Sequence, residues 1–212
     1  MYKLYYAPKS ASMGVRVILD EIGVPYELLE TSIVQGEQRP HEQLKINPNG
    51  WVPVLLWESG AMYECAAITI FLCDRHPETG LAPATNAPTR ALYLQTLVYF
   101  SNSVQNAFQL TYYPDRFSNS PEGEPGAQER GNRRLRETWS VVDRQIGRKE
   151  WVLGDHFSAA DIYLFMLTTW LRPTKGHPSV EEFPNVGRVA GAVAQRPTVQ
   201  RVYGPWFANP NS

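Results

Sequence analysis

The chain has 212 residues, 43% hydrophobic and 19% charged, with 20 basic against 21 acidic side chains and a formal net charge of -1. That balance excludes a disordered polyelectrolyte, and it supplies no long-range field for nucleic acid or for an anionic membrane surface. No run of 18 apolar residues marks a transmembrane helix, and Met1-Tyr2-Lys3-Leu4-Tyr5-Tyr6 lacks the apolar core of a signal peptide, so the expected location is cytoplasmic.

In chain order, Tyr2–Ala7 is short and aromatic and predicts a strand. Pro8-Lys9-Ser10-Ala11-Ser12 follows as a turn. Met13, Val15, Val17, Ile18, Leu19 and Ile22 then recur at helical spacing, and Gly23 closes the helix. Tyr26–Thr31 predicts a second strand, parallel to the first by the handedness of such crossovers. The polar stretch 35–47 runs into Asn47-Pro48-Asn49-Gly50, which is turn chemistry. Trp51–Trp57, interrupted by Pro53, predicts a third strand. Glu58-Ser59-Gly60 is a hairpin turn, Ala61-Met62 a short fourth strand, and Glu64–Arg75 a helix.

Residues 78–88 are rich in proline and small side chains and read as a linker. Beyond it the pattern is helical: Arg90–Tyr113, Ala127–Gly147, Ser158–Leu171 and Val186–Gln195. Pro114–Gly126 reads as a polar loop. Arg130, Arg133, Arg134 and Arg136 are interleaved with Glu129 and Glu137, which makes a solvated helix face. The two cysteines, Cys65 and Cys73, lie eight apart on one predicted helix and cannot bridge there. Neither sits in a CxxC motif, and no metal site is expected.

Three motifs carry a resemblance to the cytosolic glutathione transferases, and it extends over essentially the whole chain. The first is the turn Tyr6-Ala7-Pro8-Lys9-Ser10-Ala11-Ser12-Met13. The second is Gly50-Trp51-Val52-Pro53-Val54-Leu55, followed by Tyr63-Glu64-Cys65-Ala66-Ala67-Ile68. The third is Phe157-Ser158-Ala159-Ala160-Asp161-Ile162, a capping box with its hydrophobic staple. The implied fold is α/β, a thioredoxin-like N-terminal domain over residues 1–77, joined by the linker 78–88 to an all-helical bundle over 89–212.

The resemblance implies a glutathione transferase, which would conjugate the thiolate of glutathione to small hydrophobic electrophiles in detoxification. Glutathione would be a co-substrate, with no metal or redox cofactor, and the chain would be a homodimer with neither nucleic-acid nor membrane partners. In the family the Val–Pro bond is cis, and the residue before it pairs with the cysteinyl backbone of glutathione, which falls to Val52 and Pro53. Glu64 would meet the γ-glutamyl ammonium and the Cys65 amide its carboxylate; family members usually have serine at that second position, and a thiol is the weaker donor. For the glycyl carboxylate, Gln38, Arg39, His41 and Lys45 are candidates, with Gln38 the one taken.

The catalytic donor is the point of departure. Bacterial beta-class members carry Pro-Gly-Ala-Cys-Ser in the first turn, which sets their cysteine on Ala11, so that cysteine is absent. Serine-type members carry Pro-Gly-Ser-Ala-Pro, which sets their serine on Ser10. Ser10 or Ser12 is therefore the expected donor to the glutathione sulfur, with Tyr6 a third candidate and Lys9 a possible source of positive charge where a glycine is common. For the electrophile, Tyr99, Asn102, Asn106 and Tyr113 recur along the predicted helix after the linker, and Trp170 adds aromatic area. Two other readings stay open: a non-catalytic binding or regulatory protein of the same fold, and a glutathione-dependent reductase, lyase or isomerase. Ala11 weighs against the reductase.

Overall fold

The computed structural model describes residues 1–208. The chain divides into two compact units, Met1–Asn86 together with the chain from Ala194 onward, and Ala87–Val193.

In the first unit, β1 (Tyr2–Tyr6), α1 (Ser12–Ile22) and β2 (Tyr26–Glu30) form a parallel β-α-β unit, with Tyr2 opposite Tyr26 and Tyr6 opposite Glu30. All of β1 but Lys3 is buried, and the stripe of Met13, Val15, Val17, Ile18 and Leu19 on α1 packs into the same core. Gly23 ends α1 in the left-handed region, φ 77°, and its amide donates to the Leu19 carbonyl, as glycine permits without strain. After the short helix α2 (His41–Ile46), β3 (Val54–Trp57) and β4 (Gly60–Tyr63) complete a sheet of order β2-β1-β3-β4, antiparallel at β1/β3 and β3/β4. Then comes α3 (Cys65–Arg75), which holds both cysteines buried and unbridged.

Two elements of this unit are absent from the expectation. One is α2, inside the polar stretch. The other is α9 (Pro197–Ala208), which packs on α1. Where the sequence places 89–212 in the helical bundle, packing groups α9 with the first unit; residues 209–212 lie outside the described residues. A bidentate pair from Arg196 to Glu21, 2.8 and 2.7 Å, and a bond from the Thr198 hydroxyl to the same carboxylate tie the start of α9 to α1. Those donors hold the Glu21 carboxyl below the usual range against the opposing effect of its burial.

The second unit contains α4 (Arg90–Tyr99), α5 (Asn106–Tyr112), α6 (Glu124–Ile146), α7 (Ala159–Thr168) and α8 (Pro184–Ala194). The single helix expected over 90–113 is interrupted by a π-helical turn at Phe100–Gln105, which shifts the faces of α4 and α5 relative to each other. Ser158 caps α7 in the expected box: the Asp161 carboxylate accepts the Ser158 amide and hydroxyl at 2.8 and 2.9 Å and the Val152 amide at 2.8 Å. Asp161 is wholly buried, and burial raises its carboxyl to about 6 in spite of those three donors.

Candidate active site

The β1–α1 turn closes on itself through two hydroxyls. The Ser10 Oγ lies 2.7 Å from the Ala7 carbonyl oxygen and 2.6 Å from the Ser12 Oγ, and the Ser12 Oγ lies 3.1 Å from the same carbonyl. The Ala7 amide donates to Ser12 Oγ at 3.0 Å, and the Ser12 amide donates to Ser10 Oγ at 3.2 Å. Each hydroxyl has one proton. Either Ser10 donates to Ala7 and Ser12 to Ser10, or Ser12 donates to Ala7 and Ser10 to Ser12. Both arrangements satisfy the pair internally.

Ser12 is 0% exposed and Ser10 8%, so only Ser10 has a path outward. Neither hydroxyl caps α1 in the usual way; the N-cap position is Ala11, with no side-chain cap. Lys9 occupies the left-handed region at φ 61°, where glycine is the unstrained choice, and its amide meets the Met13 sulfur at 3.1 Å.

Pairing of Tyr5 with Val54 brings the loop before β3 beside the end of β1. The Val52–Pro53 bond in that loop is cis, as the resemblance implies. Val52 is half-buried and stands two residues ahead of the ladder, and its own amide and carbonyl make no hydrogen bond among the described residues. The two carbonyls just before it are tightly held. Gly50 O accepts from Arg39 Nε and Gln43 Nε2, both at 3.2 Å; Trp51 O accepts from Gln43 Nε2 at 3.2 Å and Asn47 Nδ2 at 3.1 Å. Gly50 has φ +70°, and a Cβ there would stand 3.1 Å from Arg39 Cγ and 3.3 Å from Leu44 Cδ2. The positive φ favours glycine, and a Cβ would also require the Arg39 and Leu44 side chains to give by a few tenths of an ångström.

The start of α3 completes the arrangement. Glu64 is its N-cap, exposed, with φ 78°, a left-handed conformation rare for a side-chain-bearing residue. The first amides of α3 have no intrahelical acceptor and present the positive end of the helix dipole. The Cys65 thiol is buried and points to the Ala11 carbonyl at 3.7 Å, which sets the N-terminus of α3 against that of α1. Tyr203 is buried on α9, and burial pushes its hydroxyl well up.

Ser10, Ser12, Val52, Pro53, Glu64 and Cys65 are thus on three adjoining segments of one unit. Gln38 is exposed on the loop before α2. Of its companions, Lys45 and His41 pair with Glu42, and Arg39 also donates to the Glu37 and Val34 carbonyls. In the helical unit, Tyr99 lines a narrow space with Leu92, Thr96, Val142 and Ile146, Asn102 and Asn106 are exposed, and Arg116 covers the Tyr113 ring at 4.0 Å. The Trp170 ring packs edge-on against Phe108. The sequence reading missed Gln43, Asn47 and Tyr203. Arg39, Gln43 and Asn47 do recur at four-residue intervals, a helical-face signal in an otherwise polar stretch.

This chain belongs to the glutathione S-transferase family: the N-terminal domain of that family matches residues 4–80 and its C-terminal domain residues 125–190. It is 26% identical to the glutathione S-transferase GstA of Escherichia coli O157:H7 over 200 residues, 93% of this chain and 95% of that one. A sphingomonad glutathione S-transferase solved in complex with glutathione is 28% identical, with a TM-score of 0.81 over 96% of this chain and 98% of the other. A glutathione transferase homolog from Sulfitobacter, with bound glutathione, is 25% identical, with a TM-score of 0.86 over 97% and 98%.

Proposed function

We propose that this protein is a glutathione transferase that conjugates glutathione to small hydrophobic electrophiles, with Ser10 as donor to the sulfur. The observation that carries the reading is the convergence of three features on one side of the first unit. They are an unpaired Val52 backbone beside a cis proline, an exposed Glu64 at the α3 N-terminus, and a serine hydroxyl at the α1 N-terminus. Together they complement an extended γ-glutamyl peptide: Val52 pairs with its cysteinyl backbone as an added strand would, and the first amides of α3 take its α-carboxylate. Glu64 takes the ammonium.

In the reaction the thiol releases its proton to solvent, and the sulfur forms a bond to the electrophilic carbon. The leaving group departs with its bonding pair. A free thiol has a pKa of about 8.5, and lowering it by about two units corresponds to about 2.7 kcal/mol. One hydroxyl donor aided by the α1 N-terminus is of that size. Ser10 turns its proton from the turn to the sulfur while Ser12 keeps the Ala7 carbonyl satisfied, so the buried acceptor is not abandoned. Ser12 does not itself reach the ligand. Gln38 is the proposed contact of the glycyl carboxylate, and Tyr99, Asn102, Asn106, Tyr113 and Trp170 those of the electrophile.

The protein is further proposed to act as a cytoplasmic homodimer. Sedimentation should give twice the 24.0 kDa chain mass. The activity is tested by retention on immobilised glutathione, followed by conjugation of a chlorodinitrobenzene. Retention with conjugation supports the proposal. Retention without conjugation leaves a glutathione-binding protein, the outcome favoured if the two serine protons stay within the turn.

A further inference from the structure

Resting on the glutathione reading above, we propose that Gln43 is a positioning residue for glutathione, acting through the main chain of the loop it holds. Gln43 is 0% exposed, and its Nε2 reaches the Gly50 and Trp51 carbonyls, the two that immediately precede Val52. Because both neighbours are carbonyl oxygens, the amide nitrogen must face them. The consequence is that Gln43 Oε1 is buried without a hydrogen-bond partner among the described residues.

An apolar side chain would fill a core position without that penalty. What glutamine adds is a single group bonded to two successive peptide units. Arg39 supports the first of those carbonyls and Asn47 the second, so Gln43 is the only side chain of the three shared by both. The Trp51 carbonyl and the Val52 amide belong to one planar peptide unit, so fixing that plane fixes the direction of the Val52 N–H and the point from which the Val52 carbonyl follows. Among the described residues the Val52 amide and carbonyl make no hydrogen bond, and they form the proposed edge for the cysteinyl backbone. Gln43 therefore orders the edge before ligand arrives, and the ligand loses less freedom of the loop on binding.

The test is Gln43→Leu, with Gln43→Met as a second variant that keeps an unbranched side chain of similar length. Glutathione is titrated calorimetrically into wild type and variants. Initial rates are then measured against glutathione and against a chlorodinitrobenzene over a range of pH. The expected result is a folded variant with glutathione Kd and KM raised about three- to tenfold, as for loss of one shared hydrogen-bonding group. The kcat at saturating glutathione, the KM for the electrophile and the pH of half-maximal rate are unchanged. Wild type that binds glutathione, with variants that bind it equally well, overturns the positioning role and leaves the glutathione reading standing. Wild type that binds none overturns both. Parallel losses in melting temperature, kcat and both KM values, or failure of both variants to fold, would assign Gln43 to the core alone and also overturn the proposal.

Discussion

The peptide-binding and sulfur-facing halves of the proposed glutathione site are finished to different degrees. The Gly50 and Trp51 carbonyls ahead of Val52 each accept two side-chain bonds from Arg39, Gln43 and Asn47, and among the described residues the Val52 amide and carbonyl are left without a hydrogen bond, where a ligand would pair on the proposed reading. Around Ser10 the hydroxyl is spoken for by Ala7 and Ser12. The first half is organised for binding before any ligand is present. The second half must rearrange its protons before it can act. Affinity and reactivity are therefore expected to respond to different substitutions.

The largest effect should come from Ser10→Ala, which removes one charge-assisted hydrogen bond to the thiolate, about 1.5–3 kcal/mol. Conjugation at neutral pH should fall about tenfold or more and partly recover as pH is raised, with glutathione affinity little changed. Steady-state kinetics across pH check both parts. A large rise in glutathione KM with unchanged kcat would break the separation of the two halves.

Ser12→Ala should act next, and differently. It strands the Ala7 amide, which now donates to Ser12 Oγ, and a buried donor left unpaired costs about 1–3 kcal/mol. Thermal melting should show that loss directly. Because Ser10 would then be the sole side chain on the Ala7 carbonyl, the rate should fall as well, by less than for Ser10→Ala.

Cys65→Ser sharpens the comparison from the binding side. A hydroxyl is a stronger donor than the thiol now directed at the Ala11 carbonyl. Glutathione should bind about two- to tenfold more tightly, with the pH dependence of the rate unchanged. Calorimetric titration measures the first and a pH profile the second.

The smallest effect on the site, and a control for it, lies in the helical unit. His177 is buried, and its Nδ1 accepts the Arg172 amide at 3.1 Å. Burial lowers its pKa to about 4, opposed by the Trp170 carbonyl and assisted to a lesser degree by each of the cations Lys175, Arg172 and Arg136. A folded histidine with a lowered pKa takes up its proton later than the unfolded chain does. Its contribution is therefore complete above about 6.5 and is lost as pH falls towards 4. Asp161, raised to about 6, slopes the other way: its contribution is fullest at low pH and is lost as pH rises through 6. His177→Phe should therefore shift the melting temperature in favour of the variant progressively from pH 6.5 to pH 4. Conjugation at neutral pH should be unchanged.

How far the sequence reveals each half follows from the forces involved. β1, β3 and α1 announce themselves because their apolar residues are the ones that bury. By contrast, α2 is six residues long and its one fully buried side chain is a glutamine, so a hydropathy pattern passes over it. With Pro197, Gly204 and Pro205 in its sequence, α9 reads poorly as a helix, and its contacts with α1 and the Arg196–Glu21 pair are tertiary. The π-helical turn at Phe100–Gln105 leaves no mark in spacing, although Ser101, Asn102 and Ser103 are weak helix formers there. The cis proline and Glu64 were readable as motifs. The serine pair was readable only as two candidates. Which of them faces outward depends on the turn geometry at Lys9 and on who holds the Ala7 carbonyl.

The central claim is that Ser10 donates its proton to the glutathione sulfur. The direct measurement is the ultraviolet absorbance of the bound thiolate, titrated with pH in wild type and in Ser10→Ala at saturating glutathione. The account predicts a bound pKa below the free value of about 8.5 in wild type, raised by about one to two units in the variant. An identical titration curve in the two proteins would contradict it and would place thiolate stabilisation on the main-chain amides at the start of α1 or on Tyr6.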